Sequence, residues 1–322
     1  MDEKILGMGN ALTDVCVSVS DATLDSLDLP KGSMQLVDEA RSRSLLSRLD
    51  AARMCAGGCA SNTICGLGKL GLPVALIGKI GRDAIGEAFE QNLRDHGVEP
   101  RLVRSGSPSG TAIALVTPDS ERTFATFLGA AVELSAGDLD AQSFADAGWF
   151  HIEGYLVQNH DLFRAAVQHA RDARARISID LASYNVVEEN LDFLREIASG
   201  GVYILFANEE EAHVFTGEED EQRALSALAE RAEIAVLKLG RRGSLLARGA
   251  ERARIPVEPV EAVDTTGAGD LYAAGFLYGL VQGAPLETCG RFGAHVAAEI
   301  IQTLGAHMDD ASWARIHAAY PG

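Results

Sequence analysis

Residues 263–280, VDTTGAGDLYAAGFLYGL, join a glycine turn to an apolar helix and set a carboxylate at the joint. Gly267 and Gly269 lack a Cβ, so the backbone there can take positive φ and bring consecutive N–H groups against a ligand. Beyond Asp270, residues Leu271, Ala274, Leu277 and Tyr278 recur at helical spacing, and a helix start carries partial positive charge with unpaired donors. Such a corner binds anions, phosphate above all. A carboxylate in that corner would repel a phosphate unless it had separate work to do. Taking the proton from an attacking hydroxyl is such work, and a positioned general base contributes ~10²–10⁴-fold. The N–H groups of Gly267, Ala268, Gly269 and Asp270 would meanwhile stabilise charge on a transferring phosphoryl group. Asp264, Thr265 and Thr266 are ordinary capping types, so the isolated string also fits a tight turn into a helix.

A second glycine motif lies upstream, where residues 57–98 read GGCASNTICGLGKLGLPVALIGKIGRDAIGEAFEQNLRDHGV. Gly57 and Gly58 open a small-residue helix with Asn62 in its first turn, and small residues let backbone approach a ligand closely. The two motifs, in this order, resemble the amino-terminal and carboxy-terminal signatures of the ribokinase-like, pfkB family of carbohydrate and nucleoside kinases. The resemblance covers nearly the whole chain. It implies an α/β fold with a ribokinase-like, mostly parallel central sheet, helices on both of its faces, and a small β-sheet lid. It also implies ATP and Mg²⁺ as cofactors, with Asp270 as catalytic base.

Composition makes a soluble globular protein the default, since 322 residues with 47% hydrophobic content can bury one large core or two smaller ones. No run of about 18 or more apolar residues suggests a membrane span, and the MDEKILGMGN start lacks a basic, apolar leader, so a cytoplasmic protein is expected. The five cysteines show no CxxC pair, and neither a disulfide framework nor a zinc site is expected. A formal net charge of −18 argues against nucleic-acid partners. The chain has no GxxxxGK[ST] motif, and its GxGxxG pattern is incomplete, so neither a P-loop nor a dinucleotide site is expected.

In chain order, Lys4 to Gly9 predicts a first strand, with Asn10 and Asp14 just beyond it, where open α/β sheets bind ligands. A polar turn followed by a half-buried strand, Val15 to Val19, is the plainer reading. The resemblance implies that Asn10, Asp14, Gly57, Gly58 and Asn62 contact substrate hydroxyls. A carboxylate such as Asp14 can accept two hydroxyl hydrogen bonds. The β-rich pieces VCVSV, SMQLV, TAIALVTP and ERTFATF predict a second sheet, and with the resemblance the lid becomes residues 15–36 and 101–127. The main unit is then 1–14, 37–100 and 128–322. Arg122, within the lid, is a candidate for the substrate or its phosphate, or a solvated strand charge. An exposed lid edge could pair two copies into a homodimer.

The middle of the chain alternates AGWFHIEG, RISIDLAS and VYILFAN with helical stretches, which predicts a parallel sheet covered on both faces. Asp180 and Asn208 follow strand ends. NEEEA is similar to the family's Asn-x-x-Glu element, which implies Asn208 near the phosphates and Glu211 near magnesium through water. Glu209 and Glu210 read as helix-start acids. IAVLKLGRRGSLLAR predicts a strand, a glycine turn and a returning strand; the resemblance implies Lys238, Gly240, Gly243, Thr265 and His295 as nucleotide contacts. A hairpin turn alone also accounts for the two glycines. GNALTD, ERTFATFLGA, IEGYLV and DLASYN look most like the adenosine-kinase-like bacterial branch, so a nucleoside is the favoured acceptor. Its base would need an apolar slot, for which Met34, Leu36, Phe127 and Tyr184 are candidates. A fructose- or ribose-type sugar kinase is the alternative, and a catalytically silent nucleotide- or sugar-binding protein is the rival from another class.

Overall fold

The computed structural model describes residues 3–49, 53–119 and 121–320. Among them, nine strands form one sheet in the order Glu251–Ile255, Ser244–Arg248, Ala232–Lys238, Val202–Asn208, Arg176–Asp180, Ala147–Glu153, Lys4–Met8, Val74–Ile80 and Val98–Arg104. All neighbouring pairs are parallel except the two made by Ser244–Arg248, which returns antiparallel after the glycine turn. Strands such as VALIGKI and VYILFAN are almost continuously buried, as a sheet covered on both faces requires. One face packs on helices His160–Asp172, Leu191–Ser199, Glu209–Thr216 and Glu221–Ala229 through Phe163, Phe193, Leu194, Phe215 and Leu225. The opposite face packs on Cys59–Lys69, Ala84–Asp95, Ala268–Val281, Leu286–Ile300 and Asp310–Ala319 through Ile64, Phe89, Phe276, Val296 and Ile316.

A smaller sheet runs in the order Met34–Leu36, Arg122–Phe127, Gly110–Val116, Leu12–Ser18 and Arg53–Gly57. Its make-up departs from the boundaries expected of the sequence at two places. Residues 12–14 and 53–57, expected in the main unit, belong to this sheet, where Leu12 to Cys16 pair antiparallel with Gly57 to Arg53. Residues 101–104, expected in the lid, instead continue the outermost strand of the large sheet, with Arg101 opposite Ile77. VEPRLVR is an edge strand interrupted by Glu99, Arg101 and Arg104, so it lacks the unbroken apolar run that marks its buried neighbours. RMCAG is short, and its pairing partner is remote in sequence.

Alternation along the small sheet gives it two different faces. Val15, Val17, Ile113, Leu115 and Ala125 are buried under the short helices Asp21–Ser26 and Glu39–Leu46. Leu12, Asp14, Ala112, Phe124 and Thr126 point the other way, toward the strand ends of the large sheet. Helix Leu286–Ile300 ends beside the glycine turn, where Val263 and Asp264 donate their N–H groups to Ile301 O. Among the described residues no helix is long and apolar enough to cross a membrane.

Helix Ala268–Val281, which carries Asp270, meets Leu286–Ile300 at a glycine crossing. A methyl at Gly275 would lie 2.9 Å from Gly293 Cα and 2.9 Å from Phe292 O, both backbone atoms that cannot swing aside. Gly275→Val is therefore expected to lower stability by roughly 1–3 kcal/mol or more, the usual cost of overpacking, measured as a drop in the denaturant midpoint. An unchanged midpoint would mean that the two helices are not held at this distance.

Candidate active site

The strand ends of the large sheet and the inner face of the small sheet enclose a cavity of about 1330 Å³. Asn10, Asp14, Gly58, Asn62 and the whole turn Thr265–Asp270 line it, so the structure brings both glycine motifs to one place. Asn62 Nδ2 donates to Asp270 Oδ2 at 2.8 Å, and Thr63 Oγ1 donates to Asp270 O at 3.1 Å. Helix Cys59–Lys69 thereby grips the start of helix Ala268–Val281. Asn62 Oδ1 is buried and has no partner, an acceptor left unsatisfied beside the cavity.

Burial pushes the Asp270 carboxyl up to about 6, against the hydrogen bonds from Asn62 and Cys59 and the charge of Lys238, and Asp180 adds to the rise. Asp14 is pushed up to about 7, first by burial and then by the nearby charge of Asp270. Asp14 lies inside the strand Leu12–Ser18 rather than in a loop beyond the first strand. The glycine pair makes room for it: a methyl at Gly57 would fall 2.1 Å from Asp14 Oδ1. Gly58 has φ +91°, and a methyl there would fall 2.2 Å from Asn10 O, so both positions require glycine.

Glu153 is a site residue that the sequence reading passed over. It ends the strand Ala147–Glu153, is 1% exposed, and lines the cavity. Its carboxylate accepts from Asn10 N at 2.9 Å, Asn10 Nδ2 at 3.0 Å and Ala60 N at 2.9 Å, and burial pushes its carboxyl up to about 7. The available signal was an acid closing an otherwise apolar run, FHIEG, at the end of a parallel strand.

The remaining candidates divide. Thr265 and Gly267, the latter with φ +76°, lie on the cavity wall. Asn208 and Glu211 lie outside it and form a reciprocal helix cap, with Glu211 2% exposed and both of its oxygens accepting from Asn208. Burial pushes Glu211 up to about 7, against the charge of Lys238. Gly240 and Gly243 also lie outside the cavity, where they shape the hairpin between Ala232–Lys238 and Ser244–Arg248; a methyl at Gly243 would meet Ile255 O at 1.9 Å. His295, likewise outside, pairs through Nδ1 with Glu258 at 2.8 Å. Among the described residues, no group of three or more His, Cys, Asp or Glu side chains could hold a metal.

Of the residues considered for an apolar slot, Met34 and Leu36 line the cavity, but Phe127 and Tyr184 do not. Phe127 sits one residue out of step with Thr126 and Phe124, so the pleat sends Phe124 inward in its place. Tyr184 lies at a different cleft beside Glu209 and His213. Arg122 does not line the cavity; its guanidinium donates to Asp264, Thr266 and Thr265, tying the small sheet to the glycine turn.

The profile described as pfkB family carbohydrate kinase matches residues 32–312. The chain belongs to the pfkB family. Its fold is the ribokinase-like fold of that family, and it is similar to two solved structures of rhizobial origin. An adenosine kinase from Sinorhizobium meliloti is 34% identical, with a TM-score of 0.88 over 99% of this chain and 100% of that one. A probable sugar kinase from Rhizobium etli CFN 42 is 33% identical, with a TM-score of 0.88 over 99% of each chain. Among curated proteins, an uncharacterised sugar kinase of Archaeoglobus fulgidus is 28% identical over 242 residues, covering 75% of this chain and 96% of that protein. This pfkB-family protein is thus a sugar or nucleoside kinase.

In this kinase Asp264 is 4% exposed, and besides Arg122 it accepts from Thr266 N at 2.7 Å and Gly305 N at 2.9 Å. Removing the cation leaves a buried carboxylate underpaired, which costs on the order of 3 kcal/mol where both partners are fully buried and less here, where the Arg122 side chain is 24% exposed. Arg122→Met is expected to lower the melting temperature measurably. A melting temperature equal to that of the wild type would show that the ion pair does not hold the turn.

Proposed function

We propose that the protein is an ATP-dependent phosphotransferase acting on the primary hydroxyl of a nucleoside resembling adenosine. The observation that carries this reading is the half-buried Asp270 carboxylate at the start of helix Ala268–Val281, fixed by Asn62 at 2.8 Å and sharing one cavity with Asp14. The acceptor's ribose hydroxyls donate to Asp14, which points the primary hydroxyl at Asp270. Asp270 takes the hydroxyl proton as the oxygen attacks in line, and the N–H groups from Gly267 to Asp270 stabilise the charge of the moving phosphoryl group. Closure of the small sheet over the cavity would exclude water as a competing acceptor.

ATP, bound with magnesium, supplies the transferable phosphoryl group. The glycine cradle fits it, since Gly267 adopts φ +76° and opens a helix start onto the cavity. Magnesium takes substrate phosphates and water as its usual ligands. Glu211, already bonded to Asn208 through both oxygens, would act on it only through water.

The nucleoside is favoured by the apolar wall of Met34, Leu36, Phe124, Leu128 and Val132, which suits the flat face of a base. It is also favoured by the likeness to the Sinorhizobium adenosine kinase. A sugar acceptor is the second reading, resting on the equally similar probable sugar kinase from Rhizobium. Phosphorylation assays with ATP against adenosine, other nucleosides, ribose and fructose separate these readings. Adenosine is expected to give the highest kcat/KM, and turnover of none of them would mark a silent binding protein.

Asp270→Asn is expected to lower kcat by about a hundredfold or more while nucleotide binding persists; unchanged turnover would remove Asp270 as the base. The pH dependence follows from the same carboxyls. Asp270 accepts a proton only when ionised, so kcat should fall as pH drops through about 6, and KM should rise below about 7 as Asp14 is neutralised. A rate independent of pH between about 5 and 8 would contradict this assignment.

A further inference from the structure

Residues 305–307 follow helix Leu286–Ile300 and touch both glycine motifs, although the transfer step uses none of them. Gly305 N donates to Asp264 Oδ2 at 2.9 Å, and a methyl at Gly267 would fall 2.8 Å from Ala306 Cβ, so these two residues abut the glycine turn. His307, 7% exposed, reaches the other motif: its Nε2 lies 2.6 Å from Ala56 O, the carbonyl just before Gly57 and Gly58. A carbonyl only accepts, so Nε2 carries the proton of this bond. Thr303 Oγ1, 2.9 Å from Ile300 O and 3.4 Å from His307 O, closes the segment onto the end of its helix. Ala56 belongs to Arg53–Gly57, the edge strand of the small sheet, whose outer side has no strand beside it among the described residues. Asn92 Oδ1 accepts from Ala56 N at 3.0 Å, so one buried residue of that edge is held by helix Ala84–Asp95 through its N–H and by His307 through its carbonyl.

We propose that His307 is a positioning residue for the acceptor: by holding the Ala56 carbonyl it fixes Gly57 against Asp14 and ties the acceptor wall to the glycine turn. The inference rests on the kinase reading above and adds to it a determinant of acceptor affinity that lies outside the cavity. Gly57 has little freedom in its placement, because a methyl on it would run into both carboxylate oxygens of Asp14. Any drift of the strand therefore moves the carboxylate that receives the acceptor's hydroxyls, or the backbone packed against it. The effect on the base is weaker. Gly58 starts helix Cys59–Lys69, and there Asn62 and Thr63 hold Asp270 by bonds of their own. Loss of the His307 bond thus bears on acceptor binding more than on proton transfer. Gly305 and Ala306 give the histidine a fixed mount, since the turn they touch is itself held by Asp264 and Arg122.

Steady-state kinetics of the wild type, His307→Leu, His307→Gln and Asn92→Ala, with ATP and adenosine varied in turn, test the proposal; ribose takes the place of adenosine where the wild type prefers the sugar. His307→Leu is expected to raise the KM for the acceptor by roughly fivefold to tenfold, the size of one lost hydrogen bond, with kcat and the KM for ATP within about twofold of wild type. His307→Gln should recover most of the loss, because its amide donates to the same carbonyl. Asn92→Ala, which removes the partner of Ala56 N, should raise the acceptor KM in the same sense by a smaller factor. A role confined to stability would instead lower the melting temperature of each variant and leave the kinetic constants of the folded enzyme unchanged. That outcome, an equal rise in the KM for ATP, or a fall in kcat alone would overturn the inference while leaving the base assignment of Asp270 intact. If His307→Leu does not fold, His307→Gln and Asn92→Ala carry the comparison, and an unchanged acceptor KM in Asn92→Ala would refute it. A wild type that turns over no nucleoside or sugar would overturn the kinase reading along with this one.

Discussion

The hydrogen bond from Asn62 to Asp270 is the constraint on which the rest of the site depends. It spans two helices that lie far apart in the chain and start at the two glycine motifs. Those helices can approach closely because Gly66 has no side chain: a methyl there would fall 2.9 Å from Ala274 Cβ and 2.9 Å from Leu271 Cδ1. With Thr63 bonded to the Asp270 carbonyl as well, the carboxylate is fixed in direction before any ligand arrives. Preorganisation of this kind costs folding energy in advance and spares it during the reaction.

That fixed carboxylate sits among others. Asp14, Glu153, Asp180 and Glu211 all lie within electrostatic reach of the site, and burial raises Asp14, Glu153 and Glu211 to about 7. At three of these acids the crowding is offset by a dedicated donor set or cation. Glu153 accepts from two backbone N–H groups and an amide, Glu211 from the Asn208 backbone and side chain, and Asp180 from Lys238. The helix start at Gly267 then supplies the positive potential that an anionic ligand needs. Net acidity of the whole chain is therefore no measure of the field at the turn, where the helix-start dipoles and the Lys238 ammonium lie closest.

The small sheet supplies the facing wall of the cavity. Its pleat sends one set of residues into its own core and the other toward the cavity, so Asp14 and Phe124 share a wall. Arg122, on the same sheet, is bonded to the glycine turn, which couples the roof of the cavity to its floor. Any shift of the sheet must therefore break or carry with it the contacts to Asp264, Thr265 and Thr266.

Local pattern was enough to read the alternating strands and helices, the glycine turn, the anion-binding helix start and the acid at its head, because each is encoded within a few consecutive residues. It also led to Asn10, Asp14 and Asn62, which the fold brings into one cavity with Asp270. What it could not fix was pairing between remote segments. The strand Arg53–Gly57 joins the small sheet, and Val98–Arg104 joins the large one, through partners that nothing in their own sequence names. Phe124 rather than Phe127 faces the cavity because strand register sets the parity of the pleat. Glu153 and the pairing of Lys238 with Asp180 likewise emerged only when separate strand ends were placed side by side. Sequence determines what each segment can form on its own, whereas burial, charge and hydrogen bonding depend on neighbours that only the folded chain supplies.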